Sequence, residues 1–339
     1  MRYANFLSQA TGTGCATLTL CLYAHLSEMN LNTSFVKSSN DLYIVQMKSK
    51  IINFGSINID HVYRVPHFVT PGETLSSLDL VTGLGGKGAN QSAAIARAGV
   101  SVAHVGRLSK TDLWAVELLA STGVNIDHIE LIEGASGHAI IQVDTQGENA
   151  IVLHGGANQS FSIADIESVL NHNQQASHLL MQNETNLIAE VFELAHAKGL
   201  KLVLNPAPMT DNIKDLPLDK LDTLIVNQGE AEALCGAADI DQIIKQMTAL
   251  APNTRTVVTL GGDGAILLVN GEVMPIKTPS VDVVDTTGAG DTFVGYFLAG
   301  VVEGMNDHDA LQRACLAASI AVTRQGAIMA IPDISEVSR

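Results

Sequence analysis

The sequence predicts an α/β protein built on a doubly wound, mostly parallel sheet, with a second and smaller β element. From Ile163 onward, short apolar runs typical of buried strands alternate with helical patterns. This order is typical of a parallel sheet with helices on both faces. Two irregular β segments, at about 60–82 and 137–154, do not fit the alternation. We expect them to form a small sheet over one end of the main domain.

The composition agrees with a compact enzyme. The chain has 339 residues, of which 46% are hydrophobic and only 16% are charged, which suffices for one large domain. Its formal net charge of −16 disfavours nucleic-acid binding, which needs Lys and Arg against the phosphates. The four cysteines are scattered and indicate neither a disulfide framework nor a zinc site. We expect no membrane segment, because no run approaches the roughly 20 apolar residues that cross a bilayer.

Residues 1–46 differ from the rest of the chain, which we expect to form the catalytic domain at 47–339. They are rich in Ser, Thr and Asn and contain one short apolar patch, Ala16–His25. A signal peptide is disfavoured because polar residues interrupt the patch and Arg2 is the only early basic residue. Two alternatives stay open: a disordered or weakly helical extension, and translation that begins at Met47. We favour the second, and with it a cytoplasmic enzyme.

In the remaining chain, apolar runs separated by turn-forming residues predict the individual strands and helices. The first strand is expected at Ile51–Phe54, before a turn at Gly55-Ser56. A hairpin is expected from His138–Val143 and Ala150–Leu153, which are separated by Thr145-Gln146-Gly147. Further strands are expected at Val102–Val105, Leu179–Met181, Leu202–Leu204, Thr223–Val226, Val257–Leu260 and Ala265–Val269, and helices at Ala89–Ala98, Asp112–Thr122, Ile163–Asn171, Asn186–Lys198, Glu230–Cys235, Asp291–Glu303 and His308–Arg324.

The segment from Asp285 to Phe293, DTTGAGDTF, carries the sharpest chemical signal. Gly288 and Gly290 permit a tight turn, and a helix is expected to start directly behind it at Asp291. Exposed N–H groups at a helix N-terminus form an anion site, and a carboxylate there can reach a hydroxyl aligned with a bound phosphate. That arrangement suits in-line phosphoryl transfer with a general base. The alternative is that Asp291 only caps the helix.

Two further segments contain candidate binding residues. The loop from Gly85 to Gln91, GGKGANQ, superficially resembles a Walker A loop, but Gly88 follows Lys87 where that motif requires Ser or Thr. It is either a glycine hinge before a helix or a close approach to a polyhydroxyl ligand, with Lys87 and Asn90 as polar contacts. Asp60, after the first strand, is either a turn residue or a ligand contact.

Taken together, these segments resemble the ribokinase branch of the PfkB carbohydrate kinase family. The resemblance runs from Ile51 to about Pro332, in an order and at distances typical of that family. It implies a ribokinase-like three-layer α/β/α doubly wound sheet with a small β lid. The segments that carry it are GSINID at 55–60, PGET at 71–74, GGKGANQ at 85–91, GGAN at 155–158, NPAP at 205–208 and DTTGAGDTF at 285–293.

The resemblance also implies roles for individual residues. Asp291 would be the base, and Gly288, Ala289 and Gly290 would form an anion hole. A homodimer through the lid is implied as well, with ATP, Mg²⁺ and K⁺ as cofactors. The sugar would be held by Asn58, Asp60, Gly86, Lys87, Asn90 and Glu184; the nucleotide would be lined by Asn227, Thr259, Gly261, Gly262, Gly264, Gly290 and Cys315; and the monovalent cation would lie at Asp285, Thr287, Ala321, Arg324, Gly326 and Ala330.

Two positions of this sequence depart from the family's pattern, and several substrates are possible within its chemistry. Cys315 stands where the family commonly has a His or Asn near the nucleotide, and Ala330 stands where a Ser often contributes to the cation site. The near-unbroken GKGANQ segment favours D-ribose, with D-ribose 5-phosphate as the product. Deoxyribose, fructose or a nucleoside are the alternatives within the same chemistry. A non-catalytic sugar-binding regulator is disfavoured because Asp291 and the glycines before it are present.

Overall fold

The computed structural model describes residues 33–37, 42–46 and 50–337, and the chain divides into two compact units, Met1–Met47 and Lys48–Arg339. In the first unit, strands β1 (Thr33–Lys37) and β2 (Leu42–Gln46) pair in antiparallel fashion. The rest of the predicted extension, including the apolar patch at 16–25, lies outside the described residues. The hypothesis that translation begins at Met47 therefore stays a prediction.

The second unit contains the remaining strands and all the described helices. The strands are β3 (Ile51–Phe54), β4 (Asn58–Arg64), β5 (Asp79–Gly85), β6 (Val102–Ser109), β7 (Asn125–Ile132), β8 (Gly137–Val143), β9 (Asn149–His154), β10 (His178–Gln182), β11 (Lys201–Asn205), β12 (Thr223–Asn227), β13 (Arg255–Thr259), β14 (Ala265–Val269) and β15 (Glu272–Ile276). The helices are α1 (Lys87–Arg97), α2 (Leu113–Ser121), α3 (Ile163–His172), α4 (Ile188–Ala197), α5 (Gln228–Cys235), α6 (Ile240–Leu250), α7 (Ala289–Glu303), α8 (Asp307–Ala321) and α9 (Ile334–Val337).

The central sheet has nine strands in the order β15-β14-β13-β12-β11-β10-β3-β6-β7. The pairs from β7 to β13 are parallel, and β14 and β15 add an antiparallel edge. Leu180 and Val203 pack into one buried cluster with α1, α2, α7 and α8, whereas Leu179 and Leu202 pack into another with α3, α4 and α6. Strands buried on both faces read as continuous apolar runs. The predicted three-layer α/β/α architecture is confirmed.

The two irregular β segments form a separate four-stranded sheet in the order β5-β4-β8-β9. Asp60 on β4 stands opposite Gly83 on β5 and Ala139 on β8. Residues paired in this way project from the same face of a sheet. The small sheet that the sequence predicted is therefore present, and one of its faces contains Asp60. Among the described residues, no helix has both the length and the apolarity that a membrane span requires.

Some element boundaries in the sequence prediction are wrong. Strand β7, strand β15 and helix α6 were not predicted, and β6 continues to Ser109 rather than ending at Val105. Helix α7 begins at Ala289 rather than at Asp291, because Gly288 is the N-cap residue, with a left-handed φ of 74°. Asp291 is therefore the third residue of the helix.

Candidate active site

The glycine loop before α1 packs directly on the loop that follows β3. A Cβ atom on Gly88 would lie 2.4 Å from the backbone nitrogen of Ser56, so only glycine permits this approach. The Glu184 carboxylate, which follows β10, accepts hydrogen bonds from the Ser56 hydroxyl and from the Lys87 amide, the latter at 3.0 Å. Glu184 therefore holds the first turn of α1 against the carboxyl ends of β3 and β10.

The Asp291 carboxylate lies at the centre of this arrangement. Its side chain is 8% exposed and accepts hydrogen bonds from Asn90 Nδ2 at 2.8 Å and from Gln91 Nε2 at 2.9 Å. Asp291 does not cap α7, since no side chain caps that helix. The capping alternative is therefore wrong, and the carboxylate faces α1 across the end of the sheet.

The first turn of α7 supplies backbone donors next to that carboxylate. The Ala289 amide bonds the Thr286 carbonyl at 3.2 Å, and the Thr292 amide bonds the Gly288 carbonyl at 2.8 Å. Gly290 and Asp291 lie between them, where an α-helix offers its N–H groups no acceptor. A Cβ on Gly290 would meet no atom within 4 Å beyond its chain neighbours and the adjacent backbone of α7. The Gly290 and Asp291 amides can therefore serve an anion beside a carboxylate, whereas the Ala289 amide, which the sequence assigned to the anion hole, already has an acceptor.

Three carboxyl groups, those of Asp291, Glu184 and Glu230, interact electrostatically with the Lys87 ammonium, and Asp60 is coupled to two of them. Burial, with the Glu184 and Asp291 charges, raises the pKa of Asp60 to about 7. Burial also raises the pKa of Glu184, Glu230 and Asp291. Asp291, opposed by burial and supported by Glu184 and Glu230, raises the pKa of Lys87. A cluster of buried titratable groups with perturbed pKa values is typical of an active site.

The sugar candidates are brought together on the small sheet and the glycine loop. Gly85 packs on the Asp60 side chain, because a Cβ there would lie 2.0 Å from Asp60 Oδ2. Gly86 has a φ of 92°, and its Cβ would lie 2.9 Å from the Asn58 nitrogen. Asn158 donates to Asn58 Oδ1 at 2.7 Å and so fixes the orientation of that side chain. The contacts between β4, the glycine loop before α1, the segment after β10 and α7 therefore bring the sugar candidates around one site: Asn58, Asp60, Gly86, Lys87, Asn90, Glu184 and Asp291.

The nucleotide candidates lie at the carboxyl ends of β12 and β13. Asn227 caps α5 and forms a capping box with Glu230, whose carboxylate accepts from the Asn227 amide at 2.9 Å. Thr259 ends β13, and Gly261 and Gly262 follow it on the surface. Gly264 is buried where a Cβ would lie 1.9 Å from the Ile276 carbonyl oxygen, so its role is packing between β14 and β15.

Cys315 occupies a different environment from Gly261 and Gly262, two of the other residues predicted to line the nucleotide. Its side chain on α8 is 2% exposed and belongs to the cluster that α8 shares with α1, α2 and α7. Burial raises the pKa of its thiol, although a hydrogen bond with Thr278 acts in the opposite direction. The structure therefore places Cys315 in the core, whereas Gly261 and Gly262 are exposed.

The cation candidates are only partly brought together. Asp285 Oδ1 accepts from the Thr287 amide at 2.9 Å and from its hydroxyl at 2.6 Å, and Asp285 Oδ2 accepts from the Gly326 amide at 2.9 Å. Burial raises the pKa of Asp285, but these hydrogen bonds outweigh it and lower the pKa overall. The Arg324 side chain instead pairs with Glu336 on α9. Ala321 and Ala330 are buried and can offer only backbone carbonyls.

Some residues of the site were not identified as functional from the sequence. Glu230 stands three residues after Asn227, and that capping-box spacing is the local signal that could have identified it. Ser56, Gln182 and Asn205 end or follow strands, and ligands bind at the carboxyl ends of strands in a doubly wound sheet, but that position alone assigns no contact. The contacts of Gln91 with Asp291 and Asn205 join residues far apart in the chain and have no local signal.

Comparison with known proteins places this geometry in a family context. A family model described as pfkB family carbohydrate kinase matches residues 48–334. The chain is similar to a Haemophilus influenzae ribokinase, with 36% identity over 299 residues, 86% of this chain and 97% of the relative. It is also similar in structure to the Cryptococcus neoformans var. grubii ribokinase in complex with ADP, with a TM-score of 0.74, 35% identity, and coverage of 86% of this chain and 99% of the other. The Arabidopsis thaliana ribokinase complexed with ribose and ATP gives a TM-score of 0.77, 31% identity, and coverage of 86% and 98%.

Proposed function

The chain belongs to the pfkB family of carbohydrate kinases, and from this premise we propose that it transfers the γ-phosphoryl group of ATP to the 5-hydroxyl of D-ribose. The products are D-ribose 5-phosphate and ADP. Ribose and ATP are supported by relatives more than 30% identical over most of this chain, one of them complexed with both compounds. We place the activity in the cytoplasm, where ATP is available.

The observation that carries the proposal is the Asp291 carboxylate beside the first turn of α7. As the sugar oxygen forms its bond to the γ-phosphorus, its proton passes to Asp291, and the bond from phosphorus to the oxygen of the departing ADP breaks. The amides of Gly290 and Asp291 stabilise the charge on the transferring group. Burial raises the pKa of Asp291, which makes its ionised form a stronger base than an exposed carboxylate.

The remaining residues position the two substrates. Asn58, Asp60 and Glu184 offer oxygens to the sugar hydroxyls, with Lys87 and Asn90 as donors. Asn227, Thr259 and the exposed glycines at 261 and 262 lie on the nucleotide side. We propose Mg²⁺ with ATP, and the Glu230 carboxylate, which faces Lys87 and Asp291, has the hard oxygen chemistry that this ion requires. When bound, Mg²⁺ would neutralise charge on the β- and γ-phosphates.

We propose a monovalent cation, K⁺, beside Asp285. Among the described residues, no three His, Cys, Asp or Glu side chains are grouped in a way that could hold a metal ion. One carboxylate with backbone carbonyls nearby is a donor set that fits a weakly held monovalent ion better than a divalent one. Asp285 already joins the loop before α7 to Gly326. A cation there would fix the loop that leads into the first turn of α7 and its Gly290 and Asp291 amides.

We also propose a homodimer formed through the small sheet. On the face that contains Asp60, one row of paired positions crosses all four strands and is apolar throughout: Val81, Val62, Ile141 and Ile151. Val81 is 54% exposed and Ile151 is 53% exposed. Exposed apolar patches of this kind favour association with another protein surface. Light scattering on the purified protein would measure the oligomeric state.

One assay tests the substrate assignment. ADP release would be coupled to a detectable reaction with ribose, deoxyribose, fructose and adenosine in turn, with and without K⁺. We expect the highest kcat/KM with ribose. A higher kcat/KM with another acceptor would change the proposed substrate but keep the kinase assignment. No turnover with any acceptor would contradict the kinase assignment and favour the non-catalytic alternative.

A further inference from the structure

A chain of buried side-chain amides lies beneath Asp291 and connects both helices of the site to three neighbouring strands. Its members are at most 8% exposed. They make hydrogen bonds to one another across the carboxyl ends of β3, β10 and β11. The amides belong to Asn53 on β3, Gln182 on β10, Asn205 on β11 and Gln91 on α1.

One end of this chain is fixed by a backbone carbonyl of β12. Asn205 Nδ2 donates to the Ile225 carbonyl oxygen at 2.9 Å. A carbonyl oxygen can only accept, so the Asn205 amide has to turn its nitrogen toward Ile225 and its oxygen toward Gln91. Gln91 Nε2 donates to that Asn205 oxygen at 2.9 Å. From this side, Gln91 has to present its amide nitrogen.

The other end is fixed independently by a backbone carbonyl of α1. Asn53 Nδ2 donates to the Gly88 carbonyl oxygen at 2.8 Å, which leaves Asn53 Oδ1 as an acceptor. Gln182 Nε2 donates both to that oxygen, at 3.0 Å, and to Gln91 Oε1, at 2.7 Å. From this side, Gln91 has to present its oxygen to Gln182. Both ends therefore require the same orientation of the Gln91 amide.

The fixed orientation determines what Asp291 meets. Gln91 Nε2 has two N–H groups, one of which serves Asn205 while the other donates to Asp291 Oδ1 at 2.9 Å. A reversed amide would bring its oxygen against the Asp291 carboxylate and the Asn205 oxygen, with no proton between them. We propose that Gln91 is a positioning residue for phosphoryl transfer: its locked amide orients the Asp291 carboxylate and stabilises its ionised form.

The Gln91 N–H donor matters because burial and the acidic groups around Asp291 disfavour its ionised form. Asp60 from β4, Glu184 after β10 and Glu230 from α5 are acidic groups that couple electrostatically with Asp291. Burial raises the pKa of Asp291, and Lys87, Asn90 and Gln91 lower it. Lys87 is the cation that faces it from α1. Loss of the Gln91 donor would therefore favour the protonated carboxyl, which cannot accept the proton of the sugar.

The inference rests on the proposed function, in which Asp291 is the base, and it can be tested separately from it. The variant Gln91→Met keeps an unbranched side chain of similar length and removes both N–H groups. Ser92→Ala is the matched control, because Ser92 is equally buried on α1 and bonds Asn53 and His104 rather than Asp291. In that variant the Gly88 carbonyl still orients the Asn53 amide. Single-turnover rates would be measured with saturating ribose and ATP over a pH series, together with thermal unfolding and both KM values.

A hydrogen bond to a charged group corresponds to about a 10- to 100-fold change in an equilibrium. We therefore expect Gln91→Met to shift the acid limb of the single-turnover rate upward by about one to two pH units, which lowers the rate by about that factor at pH values on the acid side of the wild-type limb. Both KM values should change little, and Ser92→Ala should keep the wild-type profile. A folded Gln91→Met enzyme with the wild-type rate and acid limb would overturn the inference.

A second variant covers the case in which Gln91→Met does not fold. Gln91→Leu also removes both N–H groups and adds no titratable group, so the acid limb should again shift upward; an unchanged limb would overturn the inference in the same way. Wild-type turnover of ribose is measured first. Its absence contradicts the proposed function, whereas an active wild type beside an unperturbed Gln91 variant contradicts only the role of Gln91.

Discussion

The substitution Asp291→Asn removes the carboxylate of the site while keeping its volume. In the wild type both carboxylate oxygens accept hydrogen bonds, from Asn90 and from Gln91. The new amide offers one oxygen and one NH₂ group in their place. Since Gln91 is held at both ends, the new oxygen has to face Gln91 and the new NH₂ group has to face Asn90.

Asn90 can accommodate this change. Its Oδ1 is buried without a hydrogen-bond partner, so a rotation of the Asn90 amide turns that oxygen toward the new NH₂ group. Burial raises the pKa of Asp291, which means that the surroundings disfavour its charge. A neutral amide should therefore not lower the melting temperature at pH values where Asp291 is ionised. Folding and substrate binding should both survive the substitution.

Catalysis should not survive it. A general base contributes roughly 10²- to 10⁴-fold in rate, so kcat should fall by at least that order. The assay is coupled ADP release with ribose at saturating ATP, with calorimetric binding of ribose and ATP and a thermal melt as controls. A folded variant that phosphorylates ribose within a few-fold of wild type would refute the role of Asp291. Weak binding of either substrate would instead show that the carboxylate acts in recognition.

Four further predictions address three neighbouring sites, Lys87, Asp60 and the cation site at Asp285. Lys87→Ala should raise the KM for ribose more than that for ATP, and a loss of ATP affinity alone would contradict the placement of its loop beside the sugar. Ribose affinity should rise as pH increases through about 7, where Asp60 ionises, and Asp60→Asn should abolish that dependence. The raised pKa of Asp60 contributes stability that is present below 3.8, the ordinary pKa of Asp, and is lost as pH rises through about 7; hence Asp60→Asn should melt at a higher temperature than wild type at pH 8 but not at low pH. K⁺ should increase kcat more than it changes ribose binding, and equal rates in Na⁺, K⁺, Cs⁺ and a bulky organic cation would contradict a cation site at Asp285.

The layers of the fold could be predicted because their signals are local. Runs such as Leu202–Leu204 are apolar on both faces of the strand, and they alternate with helical periods over the second half of the chain. Strand β7 was missed because it lies at the edge of the sheet and has no continuous apolar run. Helix α6 was missed although its signal exists: Asp239 caps it, and Ile243 and Met247 recur at the helical period on its buried face.

In the candidate site, too, the features with local sequence signals could be predicted and the long-range contacts could not. The glycine turn before Asp291 and the glycine loop before α1 are short motifs, so the sequence located both of them. Their mutual contact was not predictable from spacing, because Asn90 and Asp291 are separated by 201 residues. The orientation of each buried amide beneath Asp291 is even harder to predict from the sequence, because it depends on which amide atoms face the carbonyls of Ile225 and Gly88.

The use of neutral donors at Asp291 has a chemical reason. A base has to be ionised when the sugar binds, yet it also has to attract a proton during the reaction. Burial raises the pKa of Asp291 and favours the second requirement, whereas Asn90, Gln91 and Lys87 favour the first. A second cation in place of Gln91 would lower the pKa further and weaken the base, and an apolar side chain would leave the carboxyl protonated. An amide with a fixed orientation satisfies both requirements, because it donates one hydrogen bond without adding a charge.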